Sequence, residues 1–205
     1  MNAKPSNVTA FDVAEYIIRK RGGTIRALKL QKLVYYSQAW SLVWDEAPLF
    51  GEKIEAWRKG PVVPQLYFKH EKQLDVATVG GNADALCEAQ RKTVDDVLLY
   101  YGSHTSEWLC ELTHRERPWK DARGDLAPEA RGNAEITLES MAEYYECQPP
   151  GGPQGEVDLE CMDLEQVLKA EAEVRRGEVV DWEVLDGELQ DQAREIYGRT
   201  NQGAA

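Results

Sequence analysis

The stretch that most constrains the fold of this 205-residue chain is residues 28–64, which read LKLQKLVYYSQAWSLVWDEAPLFGEKIEAWRKGPVVP. In its first half, apolar side chains recur at helical spacing, which predicts a helix over residues 27–44. The residues on one face of this helix are Leu30, Leu33, Val34, Ser37 and Trp40. On the same count Lys29, Lys32 and Tyr36 share another face, which is expected to be exposed to solvent.

The second half of the stretch predicts a short strand followed by a rigid turn. Residues 53–59 alternate between two faces, as is typical of a strand. Gly60, Pro61 and Pro64 then indicate a fixed turn, because each proline fixes its own φ and restrains the residue before it. Such a turn can present a preorganised binding loop, or it can be a structural corner with Trp57 packed beneath it.

Further helices are predicted on both sides of this stretch. Thr9 can cap a first helix, with Asp12 at the third helical position, and Gly22-Gly23 can end it. The later helices are expected at residues 83–101, 106–114 and 137–147, with another beginning at Pro118 and Trp119.

The last quarter of the chain has a composition of its own. Residues 148–156, QPPGGPQGE, predict a linker. Residues 157–205 hold 5 Lys and Arg against 13 Asp and Glu, and their apolar residues have helical spacing, which indicates an acidic amphipathic arm. The apolar stripe of its last part is Trp182, Leu185, Leu189, Ala193 and Ile196. We therefore expect a domain over residues 1–147, then the linker, then the arm.

Charge and hydropathy argue against two classes of function. A net charge of −12 is the opposite of what a nucleic-acid-binding protein needs against phosphate. No apolar run reaches the ~20 residues that a membrane span requires. The N-terminus also lacks the apolar core of a signal peptide, so a soluble cytoplasmic protein is expected.

Neither a metal site nor a cofactor is indicated. The four cysteines are scattered without a CxxC pair, and the three histidines fit no zinc spacing. Cys110 and His114 lie one helical turn apart and form the strongest candidate for a catalytic pair. The sequence supplies neither an orienting partner nor a pocket for them, so the chain is expected to act without catalysis.

Taken together, these motifs resemble the Panacea domain of SocA-like and phage-associated GepA-like proteins. The resemblance runs through DVAEYII, LKLQKLVYYSQAW, PLFGEKIEAWRKGPVVP and WLCELTHRERPWKDAR, and it ends at ITLESMAEYY. It covers about residues 8–147. It implies a mainly α (α+β) fold, a compact helical domain with a small antiparallel β element, to which the C-terminal helical arm would be added.

The resemblance also implies a function. The chain is expected to be the antitoxin of a bacterial or phage toxin–antitoxin pair, one that neutralises a cognate protein toxin by direct binding. Some relatives act instead as adaptors that deliver a toxin to an ATP-dependent protease, and a phage protein of this fold could act on host defence. A homo-oligomer is a further alternative, since apolar terminal helices often form symmetric contacts.

Candidate toxin-contact residues come from the helix, the turn and the arm. Tyr and Trp are favoured interface anchors, whereas exposed lysines can equally be a solvated helix face. The arm could wrap a basic toxin, pack on its own domain, or block a toxin by mimicking nucleic acid. The candidate residues are Lys29, Lys32, Tyr35, Tyr36, Trp57, Arg58, Lys59, Val62, Trp182, Leu185 and Leu189.

Overall fold

The computed structural model describes residues 8–127 and 129–148. Over these residues the chain forms seven α-helices, one short 3-10 helix and five short strands. The helices are α1 (Ala10–Lys20), α2 (Ala27–Trp44), α3 (Pro64–Lys69), α4 (Glu88–Tyr101), α5 (Ser106–Arg115), α6 (Arg117–Arg123) and α7 (Leu138–Glu146). The strands are β1 (Ile25–Arg26), β2 (Ile54–Trp57), β3 (Gly60–Val62), β4 (Asp75–Val76) and β5 (Glu135–Ile136). The prediction of a mainly helical fold with a small antiparallel β element is confirmed.

The predicted ends of α1 are confirmed. Thr9 and Asp12 form a capping box, in which each side chain accepts a hydrogen bond from the backbone amide of the other. After the helix, Gly22 and Gly23 have φ values of 90° and 92°. This left-handed conformation suits glycine and turns the chain towards α2.

The helix α2 covers the predicted residues, but it is buried on all of its faces. It packs against α1, α4, α5, α7 and β3. Every residue from 30 to 41 is buried, which is typical of a central helix. The expectation that Lys32 and Tyr36 lie on an exposed face is therefore wrong, because segments distant in the sequence cover that face.

The predicted turn is part of a β-hairpin. β2 pairs antiparallel with β3, with Trp57 opposite Gly60, and its other edge pairs with β5. The chain reverses at Arg58 and Lys59, and residues 60–62 are strand rather than turn. The prediction of a turn beginning at Gly60 is thus wrong, whereas Pro64 does end the segment, since it starts α3.

The single helix predicted over residues 83–101 is also corrected. The structure has a 3-10 helix at Ala83–Ala85, and α4 begins only at Glu88. Leu86 is extended and buried between them, with ψ of 130°. Cys87 is the N-cap of α4, and its amide donates to the Gln90 side chain at 2.9 Å.

The predicted helices at 106–114 and 137–147 and the one beginning at Pro118 are present as α5, α7 and α6. Among the described residues, no helix has the length and apolarity needed to cross a membrane. The predicted arm, and the linker beyond Gln148, lie outside the described residues.

Candidate functional site

The polar side chains of α2 bind the backbone of surrounding loops. Lys29 Nζ donates to the carbonyl oxygens of Gly102 at 2.8 Å and His104 at 2.6 Å, in the connection between α4 and α5. Gln31 accepts from the amide of Val63 at 2.9 Å, at the end of the hairpin. These contacts hold two distant segments onto the central helix.

Gln38 makes the same kind of contact with the segment after α2. Its Oε1 accepts from the amides of Leu49 at 2.9 Å and Phe50 at 3.1 Å, while its Nε2 donates to the Phe50 carbonyl at 3.1 Å. One turn later, Ser41 Oγ donates to the Ala47 carbonyl at 2.8 Å. Residues 47–50 form neither a helix nor a strand, and the side chains of Gln38 and Ser41 provide hydrogen-bond partners for their backbone.

Replacing Gln38 with alanine should destabilise the domain by about 2–4 kcal/mol, because two buried amides and one carbonyl lose their partner. Urea denaturation followed by circular dichroism measures this free energy. Gln65, exposed on α3, provides the control, and Gln65→Ala should change stability by less than about 0.5 kcal/mol. Equal destabilisation by the two variants would show that the Gln38 contacts contribute nothing specific.

Lys32 is fully buried beneath the hairpin. Its Nζ donates to the Pro61 carbonyl at 2.9 Å, and no carboxylate pairs with it among the described residues. Burial lowers the pKa of Lys32 to about 8. A Cβ at Gly60 would lie 2.7 Å from both Lys32 Nζ and Thr113 Oγ1, so the hairpin approaches the ammonium as closely as only glycine permits.

A buried carboxyl group, Glu116, lies between α5 and α6. It accepts hydrogen bonds from the hydroxyls of Tyr36 at 3.2 Å and Tyr145 at 2.8 Å. Burial raises the pKa of Glu116 to about 8, although both hydrogen bonds act in the opposite direction, so this carboxyl is mostly protonated at pH 7.

The tyrosines around Glu116 join three helices. Tyr36 stacks on Tyr101 of α4 with ring centroids 3.9 Å apart, and Trp40 Nε1 donates to the Tyr101 hydroxyl at 3.1 Å. Trp40 also meets Tyr145 of α7 edge to face at 5.2 Å. This aromatic cluster fixes α4 and α7 against the central helix.

The candidate catalytic pair, Cys110 and His114, has the wrong environment for nucleophilic chemistry. The Cys110 thiol is buried and donates to the Lys59 carbonyl at 3.3 Å, and burial raises its pKa, so little thiolate forms. His114 stacks on Trp119 at 4.2 Å, and burial, reinforced by neighbouring positive charges, lowers its pKa to about 4. Both side chains pack the hairpin onto α5 and α6.

The tip of the hairpin is held by α6 and the loop after it. Trp119 Nε1 donates to the Trp57 carbonyl at 2.9 Å. Arg58, whose side chain is 16% exposed, forms an ion pair with Glu129 at 3.1 Å. The tip is therefore a fixed surface feature with cationic side chains.

The structure divides the predicted toxin-contact residues into three groups. Five of them are at most 1% exposed: Lys32, Tyr35, Tyr36, Trp57 and Val62. As toxin contacts on the surface of the domain these five are wrong, because α2 and the hairpin face the core. For Trp57 the structure agrees with the alternative interpretation, a structural corner with Trp57 packed beneath it. Lys29, Arg58 and Lys59 retain partial exposure. Trp182, Leu185 and Leu189 lie outside the described residues.

Reasoning from the sequence missed the residues that organise this region. Gln31, Gln38, Gly60 and Glu116 were not among the candidates, yet each has a contact that fixes a loop or a helix. One signal in the sequence could have indicated the two glutamines. They lie on different faces of an otherwise apolar helix, and an amide side chain that is buried there needs hydrogen-bond partners from other segments. In the described parts of the chain, no group of His, Cys, Asp and Glu could hold a metal ion.

Comparison with known proteins agrees with this reading of the motifs. Residues 30–120 match the family model described as antitoxin SocA-like, Panacea domain. No curated protein and no solved structure matches the chain. The matched range begins inside α2, contains the hairpin, and ends inside α6, so it includes Lys32, Gln38 and Glu116. Residues 30–120 thus resemble the Panacea domain of SocA-like antitoxins.

Proposed function

We propose that this chain is a cytoplasmic antitoxin that neutralises a cognate protein toxin by binding it directly. The observation that carries this proposal is the match of residues 30–120 to an antitoxin family. The bound antitoxin would block the toxin by occlusion or by holding an inactive conformation. No cofactor is needed and no covalent bond is made.

The chemistry of the described residues supports binding rather than catalysis. The Lys32 ammonium, the Cys110 thiol and the Glu116 carboxyl are all buried, and each has a hydrogen bond within the domain. A substrate could reach these groups only if the domain opened. Their packing makes a rigid scaffold, which reduces the entropy lost when a partner binds.

The burial of the tyrosines moves the proposed toxin contact to other parts of the chain. Lys29, Arg58 and Lys59 are the remaining candidates on the described surface. The apolar residues of the predicted arm, Trp182, Leu185 and Leu189, complete the proposed contact set. A partner that meets both would touch the hairpin tip and the last quarter of the chain.

Growth of cells that co-express the chain with the product of the adjacent gene tests the proposal. The neighbour alone should stop growth, and the pair should grow normally. If the product of the adjacent gene does not stop growth, it is not the toxin. If it stops growth and the chain does not restore growth, the chain is not its antitoxin. Either result would contradict the proposed role.

Neutralisation should not depend on Cys110 or His114. Cys110→Ala and His114→Ala are expected to rescue growth as fully as the parent chain, because neither residue is proposed to react. Circular dichroism of each purified variant confirms that it is folded. A folded variant that no longer rescues growth would reopen the catalytic interpretation.

A further inference from the structure

The outer side of β5 is an open strand edge. β5 pairs with β2 on one side, with Glu55 opposite Glu135, and among the described residues no strand pairs with its other side. Residues 133–135 and 137 are exposed. The helices and loops described for the domain therefore leave this edge accessible to another chain.

The alternation of the sheet directs the backbone of Glu135 outward. In an antiparallel pair, residues that bond to the neighbouring strand alternate with residues whose N–H and C=O point away from it. The Ala56 amide donates to the Ala134 carbonyl at 2.8 Å, so Glu55 and Glu135, the next pair in the same register, are not hydrogen-bonded to each other. The N–H and C=O of Glu135 are therefore directed away from β2, where the described residues offer them no backbone partner.

The side chains at this edge make it acidic. Glu135 lies opposite Glu55, and Lys53 Nζ forms an ion pair with Glu135 at 2.8 Å. The side chains of Lys53 and Glu135 are 66% and 45% exposed, so water screens this ion pair. Side chains of opposite charge stabilise a cross-strand pair. A strand that carries a lysine or arginine opposite Glu135 therefore fits this edge.

The same charges disfavour a second copy of this chain as the added strand. Two β5 strands paired antiparallel about residue 135 would place two glutamates directly opposite each other, which is destabilising. Charged side chains on exposed strand edges commonly prevent such self-association. A partner with a basic side chain at that position meets no such repulsion.

An exposed leucine lies near each end of the edge. Leu126 is 44% exposed, and a Cβ on Gly132 would lie 2.8 Å from Leu126 Cδ1, so Leu126 lies against the segment that leads into β5. Leu138, 39% exposed, begins α7 two residues after β5. Of the four large hydrophobic side chains that are exposed in the described part of the chain, two thus flank β5. Apolar side chains of an added strand can contact them.

We propose that the toxin adds an extended segment to β5 as a further antiparallel strand, with a basic side chain opposite Glu135. One residue of this segment exchanges two hydrogen bonds with the N–H and C=O of Glu135. The inference rests on the proposed function, since it names the surface on which the toxin binds. β5 lies outside residues 30–120, so the family match does not assign this surface.

Glu135→Pro tests the proposal, because proline removes the outward N–H and leaves the hydrogen bonds between β2 and β5 in place. Isothermal titration calorimetry with the purified toxic product of the adjacent gene measures the dissociation constant. We expect the proline variant to bind about tenfold more weakly than the parent protein. Glu135→Ala is the matched control, which loses the carboxylate but keeps the N–H, and it should bind within about threefold of the parent.

Hydrogen exchange of the parent protein tests the same backbone bond without a substitution. The Glu135 amide should exchange at least about tenfold more slowly in the complex than in the free protein, because it gains an acceptor there. Circular dichroism shows whether each variant is folded. If the proline variant does not fold, an unchanged exchange rate at Glu135 in the complex would overturn the proposal.

The outcomes separate this inference from the proposed function. A parent protein that does not bind the toxic gene product would contradict the proposed function and remove this inference with it. If the parent binds, equal affinities of the parent and the folded proline variant would overturn this inference alone. A parent dimer that Glu135→Pro converts to a monomer in light scattering would also overturn it, because β5 would then bind a second copy.

Discussion

Replacing Lys32 with glutamate is expected to unfold the domain. The side chain is fully buried, and its ammonium faces the Pro61 carbonyl with Gly60 packed against it. A carboxylate there would meet a carbonyl oxygen and lie away from water, at a cost of several kcal/mol. Since a domain of this size is stable by about 5–15 kcal/mol in total, most of the free energy of folding would be lost.

Lys32→Met shows how much of the effect on stability comes from the charge at this position and how much from the packing of the side chain. Methionine keeps the length of the side chain and removes the charge, so it loses the bond to Pro61 but no longer buries an ammonium. We expect the methionine variant to remain folded, with a stability change of about 2 kcal/mol or less in either direction. Thermal unfolding followed by circular dichroism measures both variants. A glutamate variant as stable as the parent would show that the hairpin does not enclose this position.

Glu116→Gln is expected to stabilise the protein at pH 7 by about 1–3 kcal/mol. The folded pKa of Glu116 is raised by burial to about 8, against 4.5 for the ordinary group. Between these two pH values the folded state binds more protons than the unfolded state, so the contribution of Glu116 to stability falls as pH rises. Glutamine keeps the shape of the protonated acid and one acceptor oxygen, and its amide donates on the side where the acid carries its proton. It does not ionise, which removes this pH dependence.

The measurement that tests Glu116→Gln is the difference in the free energy of unfolding between this variant and the parent protein, taken from pH 5 to pH 8. His70 and His114 have folded pKa values lowered by burial to about 4, so they make the folded state more stable as pH rises towards 6.5. Their effect is common to both proteins and cancels in the difference. Stability differences from chemical denaturation should grow with pH over this range. A constant difference would mean that Glu116 is ionised in the folded protein.

Removing the carboxyl group altogether should destabilise the protein, in contrast to its replacement by glutamine. Glu116→Ala leaves the hydroxyls of Tyr36 and Tyr145 without their acceptor and creates a cavity beside them. The expected destabilisation is about 2–4 kcal/mol. Stabilisation by glutamine together with destabilisation by alanine would show that the Glu116 carboxyl is protonated and that its hydrogen bonds stabilise the fold. A carboxyl without a structural role would give neither effect.

The sequence predicted most of the helices because their signals are local. Thr9 and Asp12 form the expected capping box, and the helix predicted at 27–44 has the bounds of α2. The start of α4 was misplaced because Leu86 is pulled into the core in an extended conformation, which local spacing does not reveal.

Burial could not be predicted from the same pattern. Helical spacing shows which face of α2 is the most apolar. Which faces are covered depends on residues that are far away in the sequence. Glu116, which accepts from the Tyr36 hydroxyl, is 80 residues away from it in the sequence. Lys32 and Tyr36 were assigned to an exposed face because they lie off the apolar face of Leu30, Leu33 and Trp40, whereas here each has a hydrogen bond inside the domain.

The central claim, neutralisation by direct binding, is tested most directly by purifying the chain together with the toxic product of the adjacent gene. Light scattering would measure the mass of the complex, and immunoblotting would follow the toxin level in the same cells. Our account predicts a stable complex of defined stoichiometry and an undiminished amount of toxin. Growth rescue without a complex, accompanied by disappearance of the toxin, would contradict direct neutralisation and indicate delivery to a protease.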